Sequence, residues 1–130
     1  MIKSMQSGVS GLRVHKTKMD VIANNIANVN TNGFQSSSVS LAESFSQTIE
    51  QARNDRNAMQ VGSGVSIAAI NRSTAQGAQR VVDGEIETMS NTDLTKEITD
   101  MIITQRSFEA NARSVTMADV MLEELVNLKK

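Results

Sequence analysis

At 130 residues, with no Cys, Trp, Tyr or Pro and a formal net charge of −1, the chain has no disulfide framework, no thiolate chemistry and no Cys-based zinc site. Nor has it a charge excess that would point to nucleic acid or an anionic membrane surface. Three Phe and eight Met beside Ile, Val, Leu and Ala suit thin helix-on-helix seams, and the lack of proline leaves long helices uninterrupted.

From the N-terminus, Ile2, Met5, Val9, Leu12, Met19, Ala23 and Ile26 step by three and four residues, with Lys16 in the missing place. This is a heptad seam, and it predicts a helix over residues 4–28. Gly8 and Gly11 weaken that helix by ~1 kcal/mol each relative to Ala, so its first turns order only against a partner. His15, the only histidine, has no Cys and no carboxylate within a helical turn and reads as a solvated helix position. Asparagines at 24, 25, 28, 30 and 32 then mark a helix losing its hold, because the Asn amide competes for nearby backbone groups. Asn32-Gly33 supplies a turn that tolerates positive φ, and Phe34 follows as an apolar anchor.

The middle, residues 35–90, reads as a connector. Ser36–Ser40 is polar; Leu41, Phe45, Thr48, Ile49 and Ala52 fall at helical spacing and predict a short helix, closed by the polar run Asn54–Asn57. Val65–Ile70 alternates as a strand does, with Gly62 and Gly64 beside it; Gly62-x-Gly64 lacks the third glycine and the following Lys-Ser/Thr of a phosphate loop. Val65–Ile70 and Arg80–Glu87 are the two β-capable stretches and are expected to pair as a small hairpin or ribbon.

The last segment opens with Ser90-x-x-Asp93, a pattern that caps a helix start. Leu94, Ile98, Met101, Gln105, Phe108, Ala112, Val115, Leu122 and Val126 keep a four-three rhythm, interrupted at Asp119. From Asn91 to Leu128 a helix would run roughly 57 Å at about 1.5 Å per residue. Ile102, Met117, Met121, Leu125 and Leu128 widen the apolar stripe beyond one seam, as a helix with more than one neighbour needs. Glu97, Asp100, Glu109, Glu123 and Glu124 have no partner histidine and no glycine-rich loop, so no general acid–base site, cofactor or metal site is expected. Lys and Arg outnumber Asp and Glu seven to four over residues 1–79 and are outnumbered six to ten over 80–130. A basic first part and an acidic last part are suited to lying against each other. The expected fold is mainly α: one domain with two long terminal helices in an antiparallel coiled coil (1–34 and 91–130) and a small β element between them.

Two stretches carry a resemblance that spacing alone does not. Met19–Phe34, with Ile22, Asn24, Asn25, Ile26, Asn28, Asn30 and Gly33, and Ser7–Leu12 ahead of it, resemble the N-terminal motif of the bacterial flagellar axial proteins, the hook and rod subunits. Met89–Leu94 and Asp100–Asn111, with Met101, Gln105, Arg106 and Phe108, resemble the C-terminal motif, closing in Met121–Lys130. Family hook and distal rod proteins carry outer β-rich domains in the middle, whereas here Gln76-Gly77-Ala78-Gln79 passes directly to Arg80–Glu87.

The resemblance implies a non-enzymatic structural subunit that assembles with copies of itself into a helical tube and touches other flagellar axial proteins. It implies export through the flagellar apparatus without a cleaved signal peptide, no cofactor, no nucleic-acid partner and no membrane insertion. The assembly positions it implies are the motif residues above together with Leu12, Met19, Leu94, Asn111, Leu122, Leu125 and Leu128. A proximal-rod subunit or a soluble coiled-coil adaptor is the alternative.

Overall fold

A computed structural model describes residues 2–44, 47–48 and 60–128. Helix α1 spans Ile2–Ala27 and helix α2 spans Leu94–Asn127. They pack antiparallel: Gly8 lies against Val115, Gly11 against Asn111, and Ile22 shares a small cavity with Glu97 and Asp100. A Cβ on Gly8 would come 2.8 Å from Val115 Cγ2, and one on Gly11 2.7 Å from Asn111 Oδ1. The two glycines that weaken α1 by propensity are therefore places where α2 packs close against it.

The seam is not the one the apolar residues spell. On α1 the buried residues are Gly8, Gly11, Val14, Ile22 and Asn25, with His15 and Lys18 half-buried. Gly8, Gly11, His15, Lys18, Ile22 and Asn25 keep the heptad rhythm one residue behind the expected stripe, a rotation of about 100°. On α2 the buried residues are Glu97, Thr104 and Ala118, while Met101, Asn111, Val115 and Leu122 are half-buried. Ile98, Gln105 and Asp119 of the expected seam are exposed. Close approach through two glycines favours small and hydrogen-bonding side chains; a Met-Val-Leu stripe would hold the axes further apart. The fully buried apolar side chains are few among the described residues: Val14, Ile22 and Ala118.

The middle differs from expectation in both its parts. Leu41 belongs to strand β1, Ser37–Glu43, not to a helix; Phe45, Ile49 and Ala52 lie outside the described residues. Strand β1 pairs antiparallel with β4, Val65–Arg72, and a short pair, β2 (Gln47–Thr48) with β3 (Gln60–Val61), continues the ribbon. Register shifts between Ser40 and Leu41, where Ala68 is the extra residue of a bulge. Strand β5, Gln79–Val82, folds back on β6, Glu85–Thr88, through Asp83-Gly84. Both turn residues have positive φ, 52° and 87°, which matches the strand twist. The expected pairing of Val65–Ile70 with Arg80–Glu87 is thus replaced by two separate ribbons. A two-residue Asp-Gly turn closes locally, and Val65–Arg72 is left for the serine-rich strand.

The β1–β4 ribbon lies along α1. Asn25 holds its start at Ser37, and Ser10 holds its far end at Val65. Fifteen helical residues cover about 22 Å and the seven-residue strand about 20 Å, so helix and strand run level.

Candidate functional site: a polar clasp and an apolar outer face

The asparagine run that ends α1 does more than stop a helix. Asn25 is 1% exposed; its Nδ2 donates to the Ser37 carbonyl at 2.7 Å, and its Oδ1 accepts from the Ser37 amide at 2.9 Å. This two-way bond makes the side chain a substitute strand for the first residue of β1. Asn24 and Asn28 close the helix locally: the Asn28 amide and its Nδ2 both donate to the Asn24 carbonyl. Asn30 is exposed. Gly33 has φ +71°, and its amide donates to the Thr88 carbonyl at 2.8 Å. Phe34 is half-buried, and its carbonyl accepts from the Asn91 amide.

Asn91 is the second anchor. Its Oδ1 accepts from the Ser36 amide at 2.7 Å, and its Nδ2 donates to the Ala75 carbonyl at 2.7 Å and the Ser73 hydroxyl at 3.2 Å. One side chain therefore ties three chain segments. Met89 N donates to Ala78 O at 2.7 Å, and Gly77 sits so close to the Met89 carbonyl that a Cβ there would collide with it. Helix α2 starts three residues later than the Ser90 pattern suggested. Asp93 is the N-cap, accepting from the Thr95 and Lys96 amides, while Ser90 is bonded to Thr92.

The remaining motif residues fall into two groups. Ile22 is buried, and Leu12, Met19, Ile26, Met101, Asn111 and Leu122 are half-buried along the seam or beside it. Gln105 and Arg106 are exposed and both reach Glu109. Leu94, Phe108, Leu125 and Leu128 are exposed, at 42%, 40%, 51% and 81%. With them Ile98, Ile102, Ile103, Met117, Val120, Met121 and Val126 leave large apolar side chains exposed along the whole length of α2.

The basic first part and acidic last part do lie side by side, but not as ion pairs. Among the described residues the salt bridges are Lys96–Asp100 and Arg106–Glu109, both within α2. His15 also departs from a solvated position. Its Nδ1 is buried without a hydrogen-bond partner among the described residues, in an open cleft with Ser7, Gly11, Gly62, Gly64, Val65 and Asn111. Desolvation, and secondarily the Lys18 ammonium, lowers its pKa below the ordinary 6.5. No described helix is long and apolar enough to cross a membrane.

The two stretches that form the clasp are also the ones shared with known proteins. A family model described as "Flagella basal body rod protein" matches residues 5–35, and one described as "Flagellar basal body rod FlgEFG protein C-terminal" matches residues 86–128. The chain belongs to the flagellar hook and rod protein family. It is 46% identical over 84 residues to the flagellar hook protein FlgE of Borreliella burgdorferi, covering 60% of this chain and 19% of that one. It is 44% identical over 84 residues to FlgE of Treponema pallidum, covering 60% and 18%. With the flagellar basal-body rod protein FlgG of Bacillus subtilis the identity is 39% over 97 residues, covering 67% and 37%. The chain thus spans well under half the length of these family members. The family matches run through Asn25, Gly33 and Asn91, so they coincide with the hydrogen-bonded base of the helix pair.

Sequence reasoning missed Asn91, Ser37, Glu97 and Thr104 as organising residues. Asn91 stood inside the quoted Met89–Leu94 motif, and its place just ahead of the helix start was the available signal.

Proposed function

We propose that this chain is a structural subunit of the bacterial flagellar hook or rod, assembling with copies of itself into a helical tube that transmits torque and encloses an export channel. It works as a structural element and not as an enzyme. The observation that carries this reading is the inversion of α2, which turns Glu97, Thr104 and Ala118 inward while Ile98, Ile102, Met117, Met121, Leu125 and Leu128 face out. An apolar surface of that extent marks an interaction surface, and heterologous contacts that do not close generate a filament. The similarity to hook and rod proteins supports the same reading, and with it a flagellar location and contact with other axial proteins.

Electron microscopy of the concentrated protein tests it. The full chain should form tubes, and deletion of Met121–Lys130 should leave a folded, soluble chain that forms none. Tubes from the truncated chain, or none from the intact chain under any condition of salt and concentration, would overturn the reading.

A further inference from the structure

Asn32-Gly33 is the one Asn-Gly pair in the sequence, and such a pair can react with itself. The Gly33 nitrogen, after losing its proton to solvent, can attack Asn32 Cγ, because glycine sets no side chain in the way. A bond forms between that nitrogen and Cγ, the Cγ–Nδ2 bond breaks, and Nδ2 takes a proton from water and leaves as ammonia. Water then opens the cyclic imide at one of its two carbonyls. Opening at Cγ gives aspartate; opening at the main-chain carbonyl gives isoaspartate, whose backbone runs through Cβ and Cγ. The sum is an amide and water converted to a carboxylate and ammonium, without oxidant or cofactor.

Both reacting groups are engaged elsewhere in the folded chain. The Gly33 amide donates to the Thr88 carbonyl at 2.8 Å, so that bond must break before the nitrogen can give up its proton. Asn32 Nδ2 donates to Glu87 Oε2 at 2.8 Å; a carboxylate acceptor pushes electron density into the amide, makes Cγ less electrophilic and ties the side chain to β6. The two partners are neighbours on that one strand. Asn32 and Gly33 are themselves exposed, and a Cβ built on Gly33 meets nothing within 4 Å, so water and base reach the pair as soon as the two bonds part.

We propose that Asn32 is a deamidation site that the fold keeps shut: Glu87 and Thr88 of β6 lock the Asn-Gly pair, and the product of the reaction prevents an opened joint from closing again. A carboxylate at position 32 has no proton to donate to Glu87 and sets a second negative charge beside it. Arg80 stands opposite Glu87 in the β5–β6 register but makes no salt bridge with it among the described residues. Isoaspartate at position 32 lengthens the backbone by one atom ahead of Gly33 and carries the Gly33 amide away from Thr88. The joint therefore works in one direction. A subunit that stays folded keeps its asparagine, and one that opens at the base of the helix pair carries a permanent mark.

Peptide mapping by mass spectrometry tests the lock on the full chain, aged at mildly alkaline pH in buffer and in guanidinium chloride. Asn32 should be converted at least about tenfold more slowly in the folded chain than in the unfolded one, the ratio set by two hydrogen bonds of which one is to a carboxylate. Asn30, exposed and followed by Thr31, serves as the internal reference and should stay intact in both. Glu87→Ala removes one bond and should speed conversion in the folded chain several-fold; Glu87→Gln, which keeps an acceptor, should fall between it and the intact chain. In Asn32→Asp, which reproduces one product, amide exchange at Gly33 should quicken several-fold while circular dichroism shows both helices kept. Equal conversion in the folded and unfolded chain, an unmoved rate in Glu87→Ala, or unchanged exchange at Gly33 in Asn32→Asp would each overturn the proposal.

Discussion

The two ends of the helix pair are built on opposite principles. At the base, where α1 runs into β1 and β6 runs into α2, polar side chains make directional bonds: Asn25 to Ser37, Asn91 to Ser36 and Ala75, Gly33 to Thr88. At the other end, α2 finishes in Met121, Leu125, Val126 and Leu128, all exposed. Directional bonds fix one geometry and lose much when one partner is removed. Apolar surface fixes no geometry and keeps its value until something covers it. The base therefore sets the shape of the subunit, and the far end is free to be used between subunits.

The sharpest way to break this contrast is Asn25→Leu. It leaves the Ser37 amide and carbonyl without their partner at a buried position, which should cost about 2–4 kcal/mol. Chemical denaturation followed by circular dichroism would read the loss; a change of under ~1 kcal/mol would mean the clasp is dispensable. Asn91→Ala should cost less, about 1–2 kcal/mol, because its bonds are only partly buried. It should also loosen residues 73–75 and 34–36 together, seen as faster amide exchange at Ser36 without change in α1.

A third measurement moves along the helix pair to His15. Desolvation, and after it the Lys18 ammonium, lowers its pKa below 6.5. Among the described residues the other lining groups of its cleft are Ser7, Gly11, Gly62, Gly64, Val65 and Asn111, none of them ionisable. The folded state therefore binds the proton less readily than the unfolded chain. Stability contributed by the neutral ring is fully present above pH 6.5 and declines as pH falls from there through the lowered folded pKa. Denaturation at pH 7.5 and 5 should show a decline that His15→Gln lacks; equal slopes in the two proteins would refute it. The smallest effect is expected at the open end. Val126→Ser, at a residue 70% exposed, should leave monomer stability within about 0.5 kcal/mol. The same change should weaken assembly, which a sedimentation assay would detect.

What the sequence made legible follows the same division. The helices could be read because their periodicity is long, the asparagine run and Asn32-Gly33 stop the first, and Asp93 starts the second. Their facing surfaces could not be read by counting apolar residues, because Gly8, Gly11, Asn25, Glu97 and Thr104 line the contact while Met5, Val9, Ile98 and Met121 lie beside it. Hydrophobic periodicity located an apolar stripe on each helix; it did not say that much of each stripe lies beside the closest contact and not in it. The ribbon was hidden for a different reason. Ser37–Glu43 has no clear alternation and pairs with a strand distant in sequence, and side-chain bonds from Asn25 to Ser37 and from Asn91 to Ser36 mark where it begins. Asp83-Gly84, by contrast, is a hairpin signal at two-residue range. At the candidate site, Asn25 and Gly33 were visible as types that stop helices and make turns; Asn91 was not, since its three bonds depend on segments brought together by the fold.

The Asn91 side chain has one more consequence. It pins residues 36, 73 and 75 to the start of α2, while the Ser44 amide donates to the Gly64 carbonyl at the far end of the β1–β4 pair. The chain is thus cinched at two necks, each with its outgoing and returning strands already held side by side. A loop beyond a closed neck adds only slowly growing closure entropy as it lengthens. Length in this fold is therefore an ornament on a fixed stem: whole modules could be spliced in beyond Ser44 or Ala75, or removed, with the stem left in register.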